Sequence, residues 1–183
     1  MIKEMIKNIL ANRNYQTKNQ HLISQGAHIG DGSRLNCKVS AFGTEPYLVT
    51  VGKNCLFADG VKFITHDGGV SVLNNLKMFG DTRMDIIAPI IIGDNVYIGT
   101  GAYIMPGVEI GDNCIVGANA IVTHNIPANS VAVGIPAKVI KTIDEYYSST
   151  MEKNWFYPTA RMSFDDKKKY FETIFCLNNT KNE

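Results

Sequence analysis

From Ile92 the chain can be cut every six residues: IGDNVY, IGTGAY, IMPGVE, IGDNCI, VGANAI, VTHNIP, ANSVAV, GIPAKV. The first position is Ile or Val in six consecutive units, the second is Gly in four of those six, and the fifth is small or β-branched. Upstream, IGDGSR (29–34), VGKNCL (51–56), FADGVK (57–62) and the start of FITHDG (63–68) follow the same pattern. Alternation along a short strand sends positions one and five inward. Gly, Asn and Asp at positions two to four suit tight corners. Three such sides close a triangular coil, and stacked coils satisfy one another's backbone groups at about 4.8 Å spacing. No coil buries a core alone, so many must stack. The expected fold is an all-β core, a parallel β-helix of hexapeptide repeats.

Two interruptions break the register. Ile29 and Val51 are out of phase, with the extra residues near SAFGTEPYL (40–48), and Phe63 and Ile92 are out of phase across a second insertion. That insertion predicts a protruding loop over 67–89, and surface excursions of a solenoid commonly carry binding functions. Outside the repeats, MIKEMIKNIL carries an apolar stripe that predicts an N-terminal helix within a segment 1–24. The β-helix is expected over 25–143 and a C-terminal helical extension over 144–183. In that extension IDEYYSSTMEKNWF and SFDDKKKYFETIFCL read as helices, the second capped by Ser163 with Asp165 and Asp166 in its first turn.

Composition narrows the function. A net charge of +1 argues against a nucleic-acid partner. No apolar run has the length of a membrane span, and the N-terminus carries no secretory pattern. Cys37, Cys55, Cys114 and Cys176 show no metal or redox spacing, which predicts reduced structural thiols in a cytoplasmic protein. Cys55 and Cys114 fall at the inward fifth position. His21, His28, His66 and His124 are not spaced as a metal cluster, so no metal is expected.

The hexads, with VTHNIPANSVAVGIPAKVIKTI (122–143), resemble the hexapeptide-repeat acyltransferases over about residues 25–145. The resemblance implies a left-handed β-helix, a homotrimer with active sites between subunits, and acetyl-CoA as co-substrate. It is nearest to the O-acetyltransferases of capsular and lipopolysaccharide sugars, carried by HDGGV and the Tyr- and Lys-rich tail. It assigns His66 as general base, a role that imidazole suits near neutral pH. Thr100, by its backbone N–H or its hydroxyl, matches the donor to the thioester oxygen. Ala118, Thr123 and His124 match positions along the pantetheine groove, and Lys138 and Lys141 match the family's phosphate contacts. His124 departs from the pattern, since relatives usually carry lysine there.

The group that orients His66 is left open. Asp67 is adjacent, but neighbours on an extended chain point to opposite sides. Asp81, Asp85 or a backbone carbonyl are the other choices. Asn36, Glu45 and Tyr47 of the first interruption are candidates to meet the acceptor, without assigned roles. The expected function is acetyl transfer from acetyl-CoA to a hydroxyl of a sugar or polysaccharide precursor. Acetylation of an antibiotic, serine, galactoside or amino sugar is the first alternative, and a non-catalytic scaffold the second.

Overall fold

The computed structural model describes residues 16–175. The apolar stripe of residues 1–10 and Cys176 lie outside the described residues. The chain divides into two units, the boundary falling after Tyr146.

In the first unit, residues 16–24 form helix α1. The strands that follow are β1 (His28–Ile29), β2 (Arg34–Leu35), β3 (Val49–Val51), β4 (Leu56–Phe57), β5 (Lys62–Phe63), β6 (Ile90–Ile92) and β7 (Tyr97–Ile98). They continue as β8 (Tyr103–Ile104), β9 (Glu109–Ile110), β10 (Ile115–Val116), β11 (Ile121–Val122), β12 (Ser130–Val133) and β13 (Lys138–Thr142). They gather into a first sheet ordered β1-β3-β6-β9, a second ordered β2-β4-β7-β10-β12-β13, and a third ordered β5-β8-β11. Successive strands of one sheet come from successive turns of the chain, and all pairings are parallel except β12 with β13. This is the parallel β-helix that the hexads predict.

Positions one and five are the core. Ile92, Val96, Ile98, Ala102, Ile104, Val108, Ile110, Cys114, Val116, Ala120 and Val122 are all buried. The corners explain the polar half of the repeat. Between the first and second sheets the backbone turns through positive φ at Gly32, Asn54, Asn95, Asn113 and Asn129. Gly and Asn are the residues that tolerate this conformation. The asparagines also hold one another: Asn95 Nδ2 donates to Asn113 Oδ1 at 2.9 Å, and Asn113 Nδ2 to Asn129 Oδ1 at 3.0 Å. Gly99 is needed for closeness instead, since a Cβ there would sit 2.6 Å from the Ala118 nitrogen one coil on.

Where the repeat is plain, stacked positions are 18 residues apart. The first interruption widens this to 22. It replaces the first coil's third side with two 3-10 turns, Val39–Phe42 and Pro46–Leu48. Phe42 fills the space of the missing strand, its ring centroid 4.8 Å from that of Phe63. The second interruption widens the spacing to 41. It is not wholly irregular: it contains helix α2, Val70–Asn75.

The last turn departs from the six-residue cut. Ile110 bridges to Ile126 and Val116 to Ala132, a spacing of 16, so the corner holding Thr123, His124 and Asn125 is two residues short. The unit GIPAKV does not continue the coil. β13 turns back antiparallel on β12.

Helix α3 (Ile143–Glu152) runs through the boundary, and α4 (Phe164–Ile174) belongs to the second unit. Helix α3 stops before the sequence reading expects, since Asn154 adopts φ 53° and Pro158 follows. Ser163 caps α4, accepting from the Asp166 amide. Tyr157 packs edge-on against Tyr170, Phe171 and Phe175.

Candidate active site

β5 ends at Phe63, and the chain carries Thr65 and His66 to the corner between the third and first sheets. Thr65 is buried, and its hydroxyl donates to Glu45 Oε2 at 2.7 Å. Glu45 arrives from the first interruption. The Thr44 hydroxyl donates to its other oxygen, Oε1, at 2.6 Å. His66 Nδ1 lies 3.0 Å from Glu45 Oε2. Hydrogen bonds from Thr44 and Thr65, joined by His66, hold the Glu45 carboxyl down at about 2. An ionised carboxylate only accepts hydrogen bonds, so in the neutral ring Nδ1 carries the proton and Nε2 keeps its lone pair. The imidazole is 49% exposed and the Glu45 side chain 16% exposed, so the supporting carboxylate sits behind a solvent-facing ring.

The second excursion returns beside its point of departure. His66 bridges to Ile87, the Asp67 amide donates to the Ile86 carbonyl at 2.9 Å, and the Ala88 amide donates to the Thr65 carbonyl at 2.9 Å. Within the excursion, the Asn74 carboxamide clasps the Met84 backbone from both ends, at 2.8 and 2.9 Å. A cleft of about 210 Å³ opens here, lined by Thr44, Glu45, His66, Asp67, Gly68, Val70, Asp85, Ile86 and Ile87. A larger cavity of about 620 Å³ lies beside α1 and the first coil, but its lining residues, such as Asn19, Asp31 and Arg34, include no histidine or cysteine.

Of the groups left open for orienting His66, neither Asp67 nor Asp85 is bonded to the ring among the described residues. Asp67 Oδ1 accepts from the Gly69 amide at 2.8 Å, the local turn that an aspartate makes before glycines. Asp85 lines the cleft, and among the described residues its carboxylate has no hydrogen bond or ion pair. Glu45 stands at the ring instead. Its partner is 21 residues away, across two departures from the repeat, so no local spacing marks the pair.

The remaining expected residues fall on two edges of the third sheet. Thr123 and His124 share the edge of His66, two coils or roughly 10 Å along the axis. Thr123 Oγ1 and His124 Nδ1 are 2.8 Å apart. Thr100 and Ala118 occupy the opposite edge, before β8 and β11, roughly 20 Å from His66 across the sheet. Both are exposed. Lys138 pairs with Val133 near that same edge, and Lys141 pairs with Val131 further along the second sheet. One chain therefore does not bring Thr100 and Ala118 to His66.

Among the described residues, no group of three or more His, Cys, Asp or Glu side chains is arranged to hold a metal ion. No described helix is long and apolar enough to cross a membrane. Cys37, Cys55 and Cys114 are buried free thiols. Burial pushes the Cys37 thiol up to about 11 and raises those of Cys55 and Cys114, which marks them as core residues rather than nucleophiles.

A family model described as bacterial transferase hexapeptide (six repeats) matches residues 89–124. Protein CapG of Staphylococcus aureus is 42% identical over 154 residues, which are 84% of this chain and 86% of that protein. Galactoside O-acetyltransferase of Escherichia coli K12 is 36% identical over 145 residues, 79% of this chain and 68% of the relative. A maltose O-acetyltransferase from Clostridium difficile 630 matches in structure with a TM-score of 0.51 and 29% identity, covering 70% of this chain and 75% of that one. The chain belongs to the hexapeptide-repeat transferases and has the left-handed β-helix that this family implies. Within that family it is an acetyltransferase.

Proposed function

We propose that the protein transfers acetyl from acetyl-CoA directly to a sugar hydroxyl, with His66 as general base. The observation that carries the reading is the Glu45–His66 pair, which fixes the ring tautomer and leaves Nε2 as the free base beside a cleft. Nε2 takes the acceptor's hydroxyl proton as the oxygen attacks the thioester carbon. The tetrahedral intermediate collapses, the C–S bond breaks, and the imidazolium returns its proton to the departing thiolate. A backbone N–H at Thr100 suits the developing oxyanion. No described cysteine is activated, which favours direct transfer over an acyl-enzyme. The relatives that act on galactosides and maltose support a saccharide acceptor.

The separation of His66 from Thr100 and Ala118 supports a site completed by a second subunit, in a homotrimer. The narrow edge residues Thr100 and Ala118 leave room for a pantetheine arm, and Lys138 near the same edge suits its phosphates. His124, in the shortened corner and bonded to Thr123, is assigned no phosphate contact. A cytoplasmic location accords with the free core thiols, and a saccharide acceptor accords with a place in polysaccharide synthesis.

The test is thiol release from acetyl-CoA across a panel of methyl glycosides, serine and simple alcohols, followed by initial rates with both substrates varied. Direct transfer to a sugar gives release that depends on a glycoside, with intersecting double-reciprocal lines. Parallel lines would show an acyl-enzyme, and release indifferent to glycosides would remove the sugar.

A further inference from the structure

The cleft beside His66 has a chemical character that goes further than "sugar". The part of the cleft formed by this chain, about 210 Å³, lies below the roughly 300–1,000 Å³ of pockets for drug-sized ligands, so it suits a single ring. Its lining contains three carboxylates, Glu45, Asp67 and Asp85, and no lysine or arginine. Glu45 is committed to His66, Thr44 and Thr65. Asp67 uses one oxygen on the Gly69 amide, and its Oδ2 has no hydrogen bond among the described residues. Asp85 is free of such bonds altogether, in a lobe that the Asn74 clasp on Met84 holds in shape. The neighbouring Ile86 and Ile87 are 41% and 48% exposed, and they present aliphatic surface beside these acceptors.

Resting on the reading of His66 as acceptor base, we propose that the acceptor is an uncharged pyranose ring, bound by hydroxyl hydrogen bonds to Asp85 and Asp67, and that Asp85 excludes uronic acids and other anionic sugars from the cleft. Ionised carboxylates accept strong hydrogen bonds from hydroxyls. Ile86 and Ile87 suit the C–H face of the same ring. A carboxylate or phosphate on the ring meets like charge in a narrow cleft whose lining holds no lysine or arginine to offset it, and clefts lined by one sign of charge focus that field.

The experiment uses the whole protein with acetyl-CoA. Methyl glycosides of glucose, galactose, mannose and N-acetylglucosamine are compared as acceptors. For the best of them, the matching uronamide and uronate are then measured as competitors. The two competitors differ in charge and scarcely in shape, and their inhibition does not depend on which hydroxyl reacts. The expected result is an inhibition constant at least tenfold weaker for the uronate. Asp85→Asn should narrow that ratio severalfold and raise KM for the neutral glycoside. A uronate that inhibits as well as its uronamide, a ratio unmoved by Asp85→Asn, or a panel in which no neutral glycoside is acetylated would each overturn the proposal. His66→Ala separates this from the underlying reading. If glycoside turnover survives that substitution, the base assignment falls, whatever the competitors show. If turnover is lost and the uronate still competes fully, the base assignment stands and the acceptor class falls.

Discussion

Glu45 is the residue on which the site's geometry turns. Held at about 2 against an ordinary 4.5, it is ionised wherever the enzyme would work. Glu45→Gln exchanges an accept-only carboxylate for a neutral carboxamide that can also donate, so Nδ1–H loses its charged partner and the ring its fixed tautomer, and kcat should fall tenfold or more, a part of the roughly 10²–10⁴ that general-base catalysis contributes. KM for acetyl-CoA should stay unchanged, because Glu45 meets no thioester. A rise in that KM with kcat intact would contradict the positioning role. A depressed folded pKa also makes a statement about stability. The carboxylate's contribution is complete above the unfolded value of 4.5 and is lost as pH falls towards the folded value of about 2. Thermal melts from pH 6 down to 2.5 should therefore show the wild type losing Tm faster than Glu45→Gln below about pH 4.5, as linkage requires. Parallel decline of the two proteins would remove the carboxylate from the account. His66 was legible in the sequence as the histidine at which the register ends. Glu45 was legible only as a candidate to meet the acceptor, because its contact with His66 closes only when two excursions meet at one corner.

Among the elements, the hexads were legible because each position has one physical task. Inward Ile, Val and Ala pack the core, while Gly and Asn hold the positive-φ corners. What the repeat did not reveal are the places where packing overrode the count. Phe42 substitutes for a strand, α2 forms inside the loop, and the corner at His124 is trimmed by two residues. The reversal of β13 was also hidden, since GIPAKV has the letters of a hexad and an antiparallel partner. The asparagine corner makes a testable case. Asn113 holds φ 56° and bonds to Asn95 and Asn129. Asn113→Ala forfeits both bonds and leaves in the left-handed region a residue without asparagine's local polar compensation, where an uncompensated L-residue costs about 1–2 kcal/mol. Asn113→Gly loses the bonds but relieves the backbone, so urea unfolding should rank it between wild type and alanine. Glycine as costly as alanine would mean that the backbone conformation carries none of the effect.

For the whole molecule, the distance between the two edges of the third sheet is decisive. His66 lies on one edge, and Thr100 and Ala118 lie on the other, so the proposed function draws its base and its donor groove from two chains. A His66→Ala chain mixed and co-refolded with an Ala118→Trp chain should regain activity, although neither is active alone, because some interfaces then combine an intact base with an open groove. No recovery in mixed assemblies would place the site within one chain. Light scattering should give about three times the 20.2 kDa chain mass. The central claim is simpler to strike at. We would first measure acceptor-dependent thiol release by wild type and His66→Ala, with acetyl-CoA affinity determined by calorimetry on both. A loss of about 10²–10⁴ in kcat with unchanged donor affinity is the predicted result. Turnover within tenfold of wild type in His66→Ala, at equal donor affinity, would contradict it and return the base to another residue.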